Sequence, residues 1–321
     1  TTIDDEPYEY KNGQEVKNWD KKYIGATRVR YGIEHSMNVL AVKTLTDYVG
    51  ETESYDYLLN FGFTTLTDAD KNSQAKALGG LTLGVYNTEL TAAYAAIANG
   101  GTYIEPTLYT QILDHDGNVL LDNTTPLSHE VIKDSTAYLL TGAGGTGGSA
   151  RLSNMPVAAK TGTSQESNDL WIAAYTPYYT ASVWGGYDES KTMSNLSQSW
   201  HQKLWKNIME RIQETKSLAY KDFEIPSSVV QKTICTRTGL LATGSCPSQS
   251  ISQKIMLQPR VVPVIMLHRN LPMMILLLKI LIILMIRITL QMVMILPERT
   301  VITVELFPLL LNRMFSPHRN S

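Results

Sequence analysis

The sequence predicts an α+β fold, an antiparallel sheet packed with helices, and three observations carry that prediction. Leu90, Ala93, Tyr94 and Ile97 form one apolar stripe at helical spacing, in a segment that stops at Gly100-Gly101. Three strand candidates, 156–163, 169–175 and 180–187, follow one another through connections of only five and four residues. A parallel return needs about a dozen residues or more, so these strands are antiparallel neighbours in a meander. Leu204, Ile208, Met209 and Ile212 then give a second amphipathic helix, placed to pack on that sheet.

The elements follow in chain order. Residues 1–30 read as polar, turn-rich and exposed, with Asp4-Asp5-Glu6-Pro7 as connection rather than core. Beyond Thr27, Val39, Val42, Lys43 and Thr46 stand at helical spacing behind Asn38, the expected N-cap, and Gly50 is the expected stop. The clearest helix runs from Thr88 to Asn99, with Asn87 or Thr88 at its cap. Ile112–Leu121 sets two apolar arms around Asp116-Gly117, the pattern of a tight surface hairpin. Val131–Thr141 reads as a further helix. The run 142–148 is too rich in glycine for regular structure. With no Gly-Lys-Ser/Thr after it and no strand before it, it reads as a mobile loop beside a site rather than a phosphate cradle.

Composition narrows the function. The 321 residues, 43% hydrophobic and 18% charged, suffice for two average domains or one large one. Residues 251–321 hold eight Lys/Arg against Glu298 and Glu305, a net +6, so residues 1–250 carry −8 of the whole chain's −2. An acidic body excludes nucleic acid as the main partner. No His-Glu-x-x-His, Gly-x-Ser-x-Gly, dinucleotide fingerprint or calcium loop occurs, and the six His residues lack ligand spacing. Neither a metal nor a cofactor is expected. His35 adjoins Ser36, but adjacent side chains point apart, which makes His35 a surface residue. Residue 1 is a threonine with no signal segment behind it, and the chain reads as an internal piece of something longer.

Cys235 and Cys246 enclose a ten-residue loop. A bond between them would favour folding by about 3 kcal/mol and imply an oxidising compartment. The other reading is two unpaired buried thiols.

Two short signals remain: Ser36-Met37-Asn38 at a helix start, and Lys160-Thr161-Gly162-Thr163 on a strand that precedes its hairpin partner. Around them lie Tyr23-Ile24-Gly25, Leu78-Gly79-Gly80, Asn99-Gly100-Gly101-Thr102-Tyr103-Ile104-Glu105-Pro106, Asp169-Leu170-Trp171, Tyr175-Thr176-Pro177 and Val183-Trp184-Gly185-Gly186-Tyr187-Asp188. In this order these segments resemble the transpeptidase domain of penicillin-binding proteins, most closely the class A, bifunctional kind, over about residues 1–250. The resemblance implies a β-lactamase/transpeptidase-like fold, incomplete at the N-terminus. It also implies serine-type acyl transfer on D-Ala-D-Ala ends of peptidoglycan stem peptides, β-lactam binding, and location at the extracytoplasmic face of the cell membrane.

The family's roles transfer to matching positions. Ser36 would relay protons near the leaving group, and Asn38 would hydrogen-bond the substrate amide. Lys160 would supply positive potential, while Thr161 and Thr163 would bind the terminal carboxylate. Gly162 would let the strand approach the substrate closely, and the Thr163 N–H would form half of the oxyanion hole. The family's Ser-x-x-Lys should precede both motifs, yet here it occurs only as Ser73-Gln74-Ala75-Lys76, between them. The nucleophile, its lysine, the glycosyltransferase domain and the membrane anchor are therefore expected upstream of Thr1, leaving this chain unable to acylate. The family usually has a longer helix between the equivalents of Leu140 and Gly145, a further departure.

The expected division is a transpeptidase domain at 1–222, a Cys-bearing extension at 223–250 and an apolar tail at 251–321. The tail has no Gly, Ala, Asp, Tyr or Trp and holds eight of the 12 Met. Three readings stand: a membrane span over 272–296 burdened by Lys279 and Arg287, a buried extra domain, or an Asp/Asn-rich linker read in a shifted frame. Two functional alternatives also stand, a non-catalytic penicillin-binding module and a serine β-lactamase-like hydrolase.

Overall fold

The structure, a computed structural model, describes residues 2–141, 145–164, 167–187, 189–193, 196–235, 252–257, 291–295 and 301–305. Its first lobe opens with four short strands, β1 (Thr2–Asp5), β2 (Tyr8–Glu9), β3 (Glu15–Val16) and β4 (Gly25–Arg28). β1 pairs with β4, and β2 with β3, all antiparallel. This corrects the expectation of an exposed connection. Ile3 and Val16 are buried, and so are Asp5 and Asn18. The two polar groups are buried as partners: Asn18 Nδ2 donates to Asp5 Oδ1 at 2.8 Å, and the Ile24 N–H donates to Asp5 Oδ2 at 2.9 Å. Strands of two to four residues are too short to print an alternation.

Helix α1 (Val29–Glu34) and helix α2 (Asn38–Lys43) meet at a sharp corner, and α2 runs on through a π-helical turn, Thr44–Val49, to Gly50. Asn38 is not the cap. Met37 occupies that position, and Asn18 Oδ1 accepts the Val39 N–H at 3.1 Å from across the lobe. A tertiary acceptor thus does what a local side chain was expected to do. Helix α3 (Glu51–Asn60), helix α4 (Asp68–Lys71) and a 3₁₀ turn (Ala75–Leu78) complete this lobe.

Helix α5 (Asn87–Ala98) matches the clearest predicted helix, with Tyr86 rather than Asn87 or Thr88 at the cap position. Strand β5 (Thr102–Ile104) pairs with β8 (Ser128–Glu130), so helix α6 (Asp134–Leu140) begins later than its predicted start at Val131. Between them, β6 (Gln111–Leu113) and β7 (Val119–Asp122) form the expected hairpin, exposed along its length.

Strands β9 (Ala158–Thr163), β10 (Leu170–Tyr175) and β11 (Thr180–Gly185) form the expected antiparallel meander, followed by helix α7 (Trp200–Lys216). Further on come β12 (Val230–Cys235), β13 (Ser252–Leu257), β14 (Gln291–Ile295) and β15 (Val301–Glu305). The last two extend the main sheet, whose order is β15-β14-β11-β10-β9. The apolar tail thus contributes strands; of the candidate span 272–296 only 291–295 are described, and no helix among the described residues is long and apolar enough to cross a membrane. Cys235 ends β12, but Cys246 lies outside the described residues, and with it the candidate disulfide.

Strand alternation divides the core. Trp171, Ala173, Tyr175 and Trp184 face α5, while Leu170, Ile172, Ala174, Ala181 and Val183 face α7. Burying both faces leaves the edge strand β9 to carry the groove described next.

Candidate anion-binding groove

Two backbone features set the groove. On one wall, α1 and α2 cross closely because Gly32 has no Cβ, which would stand 2.7 Å from Leu40 Cδ1. The corner between them places Ser36 at φ +52, a left-handed conformation that a serine adopts only under constraint. On the other wall, β9 pairs with β10 in the register Lys160↔Ala173 and Thr163↔Leu170. Its turn is pinned by Asp169, which accepts the Ser164 hydroxyl at 2.8 Å and the Trp184 indole N–H at 3.2 Å.

The walls meet at Lys160. Its ammonium donates to Ser36 Oγ and to the Thr161 carbonyl at 2.8 Å. Ser36, Asn38, Lys160, Thr161 and Thr163 line one groove of about 1480 Å³. Two distant sequence motifs are therefore brought together. Asn38 donates its amide N–H to the Lys17 carbonyl at 2.8 Å, which fixes the side chain on the groove wall. Gly162 is buried opposite Trp171 and does not line the groove. His35 is exposed, its ring stacked on Tyr31, as expected for a surface residue.

Lys160 is the electrostatic centre. Burial pushes its ammonium down to about 8. Its hydrogen-bond partners are a hydroxyl and a carbonyl, neither of which cancels its charge. A half-buried positive charge among hydroxyls can hold an anion, and a carboxylate placed there would gain charge-assisted hydrogen bonds.

The out-of-order Ser73 and Lys76 also lie near the groove, but not as a nucleophile and its base. Lys76 is 0% exposed, and its ammonium donates to the carbonyls of Asp70, Lys71 and Ser73 at 3.0–3.1 Å. It cages a turn instead of approaching the Ser73 hydroxyl. Among the described residues no His, Cys, Asp and Glu gather to hold a metal.

Among the lining residues that sequence reasoning missed are Thr146, Trp19, His201 and Gln202. Thr146 sits inside the glycine run, and its hydroxyl lies 2.6 Å from that of Thr161. The one signal was a lone hydroxyl residue among glycines. Trp19, His201 and Gln202 come from distant segments and carried no local signal. Burial pushes His201 down to about 4, so its imidazole is neutral at ordinary pH.

Comparison with known proteins gives these features a setting. Residues 1–210 match the family described as penicillin binding protein transpeptidase domain, and residues 225–256 match the penicillin-binding protein 1A, C-terminal domain. The chain is 35% identical over 245 residues to penicillin-binding protein 1A of Clostridium botulinum strain Hall, covering 74% of this chain and 28% of that protein. It is 33% identical over 256 residues to penicillin-binding protein 1A/1B of Bacillus subtilis, covering 72% and 27%. The chain thus spans little more than a quarter of the length of these relatives. In fold it is similar to penicillin-binding protein 1A from Haemophilus influenzae, with a TM-score of 0.62 at 23% identity over 79% of this chain and 44% of that one. PonA1 from Mycobacterium tuberculosis in complex with penicillin V gives 0.61 at 22% identity, over 70% and 66%. With a family match across residues 1–210, the chain belongs to the penicillin-binding protein transpeptidase family.

Proposed function

We propose that this groove takes the D-Ala-D-Ala end of peptidoglycan stem peptides, and β-lactams in the same place, as part of a serine-type D,D-transpeptidase of cell-wall synthesis. One observation carries the reading: the Lys160 ammonium donates to the Ser36 hydroxyl in a groove that Asn38, Thr161 and Thr163 also line. In this reading Lys160 attracts the terminal carboxylate and Thr161 and Thr163 hydrogen-bond it. Asn38 orients the substrate amide, and Ser36, bonded to Lys160, moves a proton toward the leaving amine. The Thr163 N–H is one oxyanion donor. Glycosyltransfer by a further domain and membrane attachment outside the cytoplasm, which the class A resemblance implies, belong to the same proposal.

A second reading draws on the caged Lys76. With its ammonium held by three carbonyls, it cannot take a proton from the Ser73 hydroxyl, so residues 1–321 bind ligand without acylating. Fluorescent penicillin tests both readings. The expected result is no covalent label on this chain, label on a version extended upstream to include Ser-x-x-Lys, and non-covalent binding of an N-acyl D-Ala-D-Ala peptide by both. Label on this chain that Ser73→Ala abolishes would overturn the assignment of Lys76. Failure of the peptide to bind either form would overturn the site.

A further inference from the structure

The glycine run holds one hydroxyl residue against the groove, and its placement is built from both sides. Gly145 has φ +106, and a Cβ there would stand 2.6 Å from the Glu34 carbonyl oxygen. A Cβ on Gly147 would stand 2.8 Å from Ala159 Cβ. The loop therefore closes on the end of α1, two residues before Ser36, and on β9, one residue before Lys160. Between these two contacts Thr146 faces the groove, its Oγ1 2.6 Å from Thr161 Oγ1. Of the run expected to be a mobile loop, residues 145–148 are fitted to both walls, and 142–144 lie outside the described residues.

We propose that Thr146 is a positioning residue for carboxylate binding, directing the Thr161 hydroxyl toward the anion. The inference rests on the reading of Thr161 given above. A hydroxyl has one proton and two acceptor sites. Two hydroxyls in contact share one proton between them and leave the other free. Either can be the donor when the groove is empty. A carboxylate beside Thr161 selects the arrangement in which Thr146 donates to Thr161 and Thr161 donates to the anion. The first bond polarises the second, and it removes the rotor freedom that Thr161 would otherwise lose on binding. The glycines serve this geometry by letting the loop approach Glu34 and Ala159 more closely than a side chain allows.

The test titrates the full 321-residue chain, by ¹⁵N NMR, with N-acetyl D-Ala-D-Ala as the free acid and as its C-terminal amide. Thr146→Val keeps the shape and removes the hydroxyl, and should weaken the free acid roughly fivefold. Thr146→Ser should restore it, and the weaker amide should bind all three proteins alike. Equal binding of the acid by wild type and Thr146→Val would overturn the inference while leaving the groove reading intact. A wild type that does not prefer acid to amide would overturn the carboxylate site itself, and the inference with it. Because Thr146 is exposed, all three proteins should keep one thermal midpoint. A loss of acid binding that serine does not restore would mark the position as a packing element, against the proposal.

Discussion

Replacing Lys160 with methionine tests whether the groove holds an uncompensated positive charge. The ammonium is held at about 8 in the folded chain against an ordinary 10.5, because burial disfavours its charged form. Between those values the unfolded chain keeps the proton and the folded chain does not, so stability rises with pH through that window. The gain is complete above 10.5 and lost as pH falls through about 8. At about 1.4 kcal/mol per unit the full effect is about 3 kcal/mol. Groove water screens part of it, leaving about 2 kcal/mol. Lys160→Met keeps the apolar stem and abolishes the titration. Urea unfolding of both proteins at pH 7 and pH 10.5 gives a double difference in which Lys76 and every other shared group cancel. Relative to wild type, the variant should be favoured by about 2 kcal/mol more at pH 7 than at pH 10.5, roughly 1 M in urea midpoint. A double difference of zero would mean a solvated or charge-paired lysine and would refute the electrostatic basis of the site.

Two further outcomes concern the frame. Asp70 is buried and accepts the N–H and hydroxyl of both Thr67 and Thr82 at 2.8–2.9 Å. Burial raises its pKa, but these donors outweigh it and hold the carboxyl below its ordinary value. Asp70→Asn should cost about 2 kcal/mol at pH 7 in urea melts, and less as the pH falls through the lowered value, where wild type loses the same stabilisation. Gly101 has φ +95, and a Cβ there would lie 1.8 Å from the Ile132 carbonyl oxygen. Gly101→Ala should cost about 3 kcal/mol or more in thermal melts, against about 1 kcal/mol for Gly13→Ala, whose Cβ meets nothing within 4 Å.

What the sequence disclosed tracks the range of the forces involved. The meander was legible because connections of four and five residues admit no other pairing, and α5 because its stripe repeats over about two turns. The pairing of Lys160 with Ser36 joins residues 124 apart and came from a family likeness, not from any local pattern. Asp5 and Asn18 looked like solvent-facing polar residues, because their burial depends on each other and not on their neighbours in sequence. Asn38 misled for a related reason: its side chain spans to Lys17, and the helix start is satisfied by Asn18 instead. Thr146 was hidden by the glycines that position it.

The backbone and the hydroxyl at Ser36 pull in opposite directions. Glycine would relieve roughly 1–2 kcal/mol of torsional strain at its φ of +52, and would erase the group that meets Lys160. In a variant library sorted first for thermal hardiness and then for ligand retention, Ser36→Gly would climb in the first round and vanish in the second. Breeding this scaffold for robustness alone would therefore drift toward a silent protein, and the loss would begin at the corner where the two helices meet.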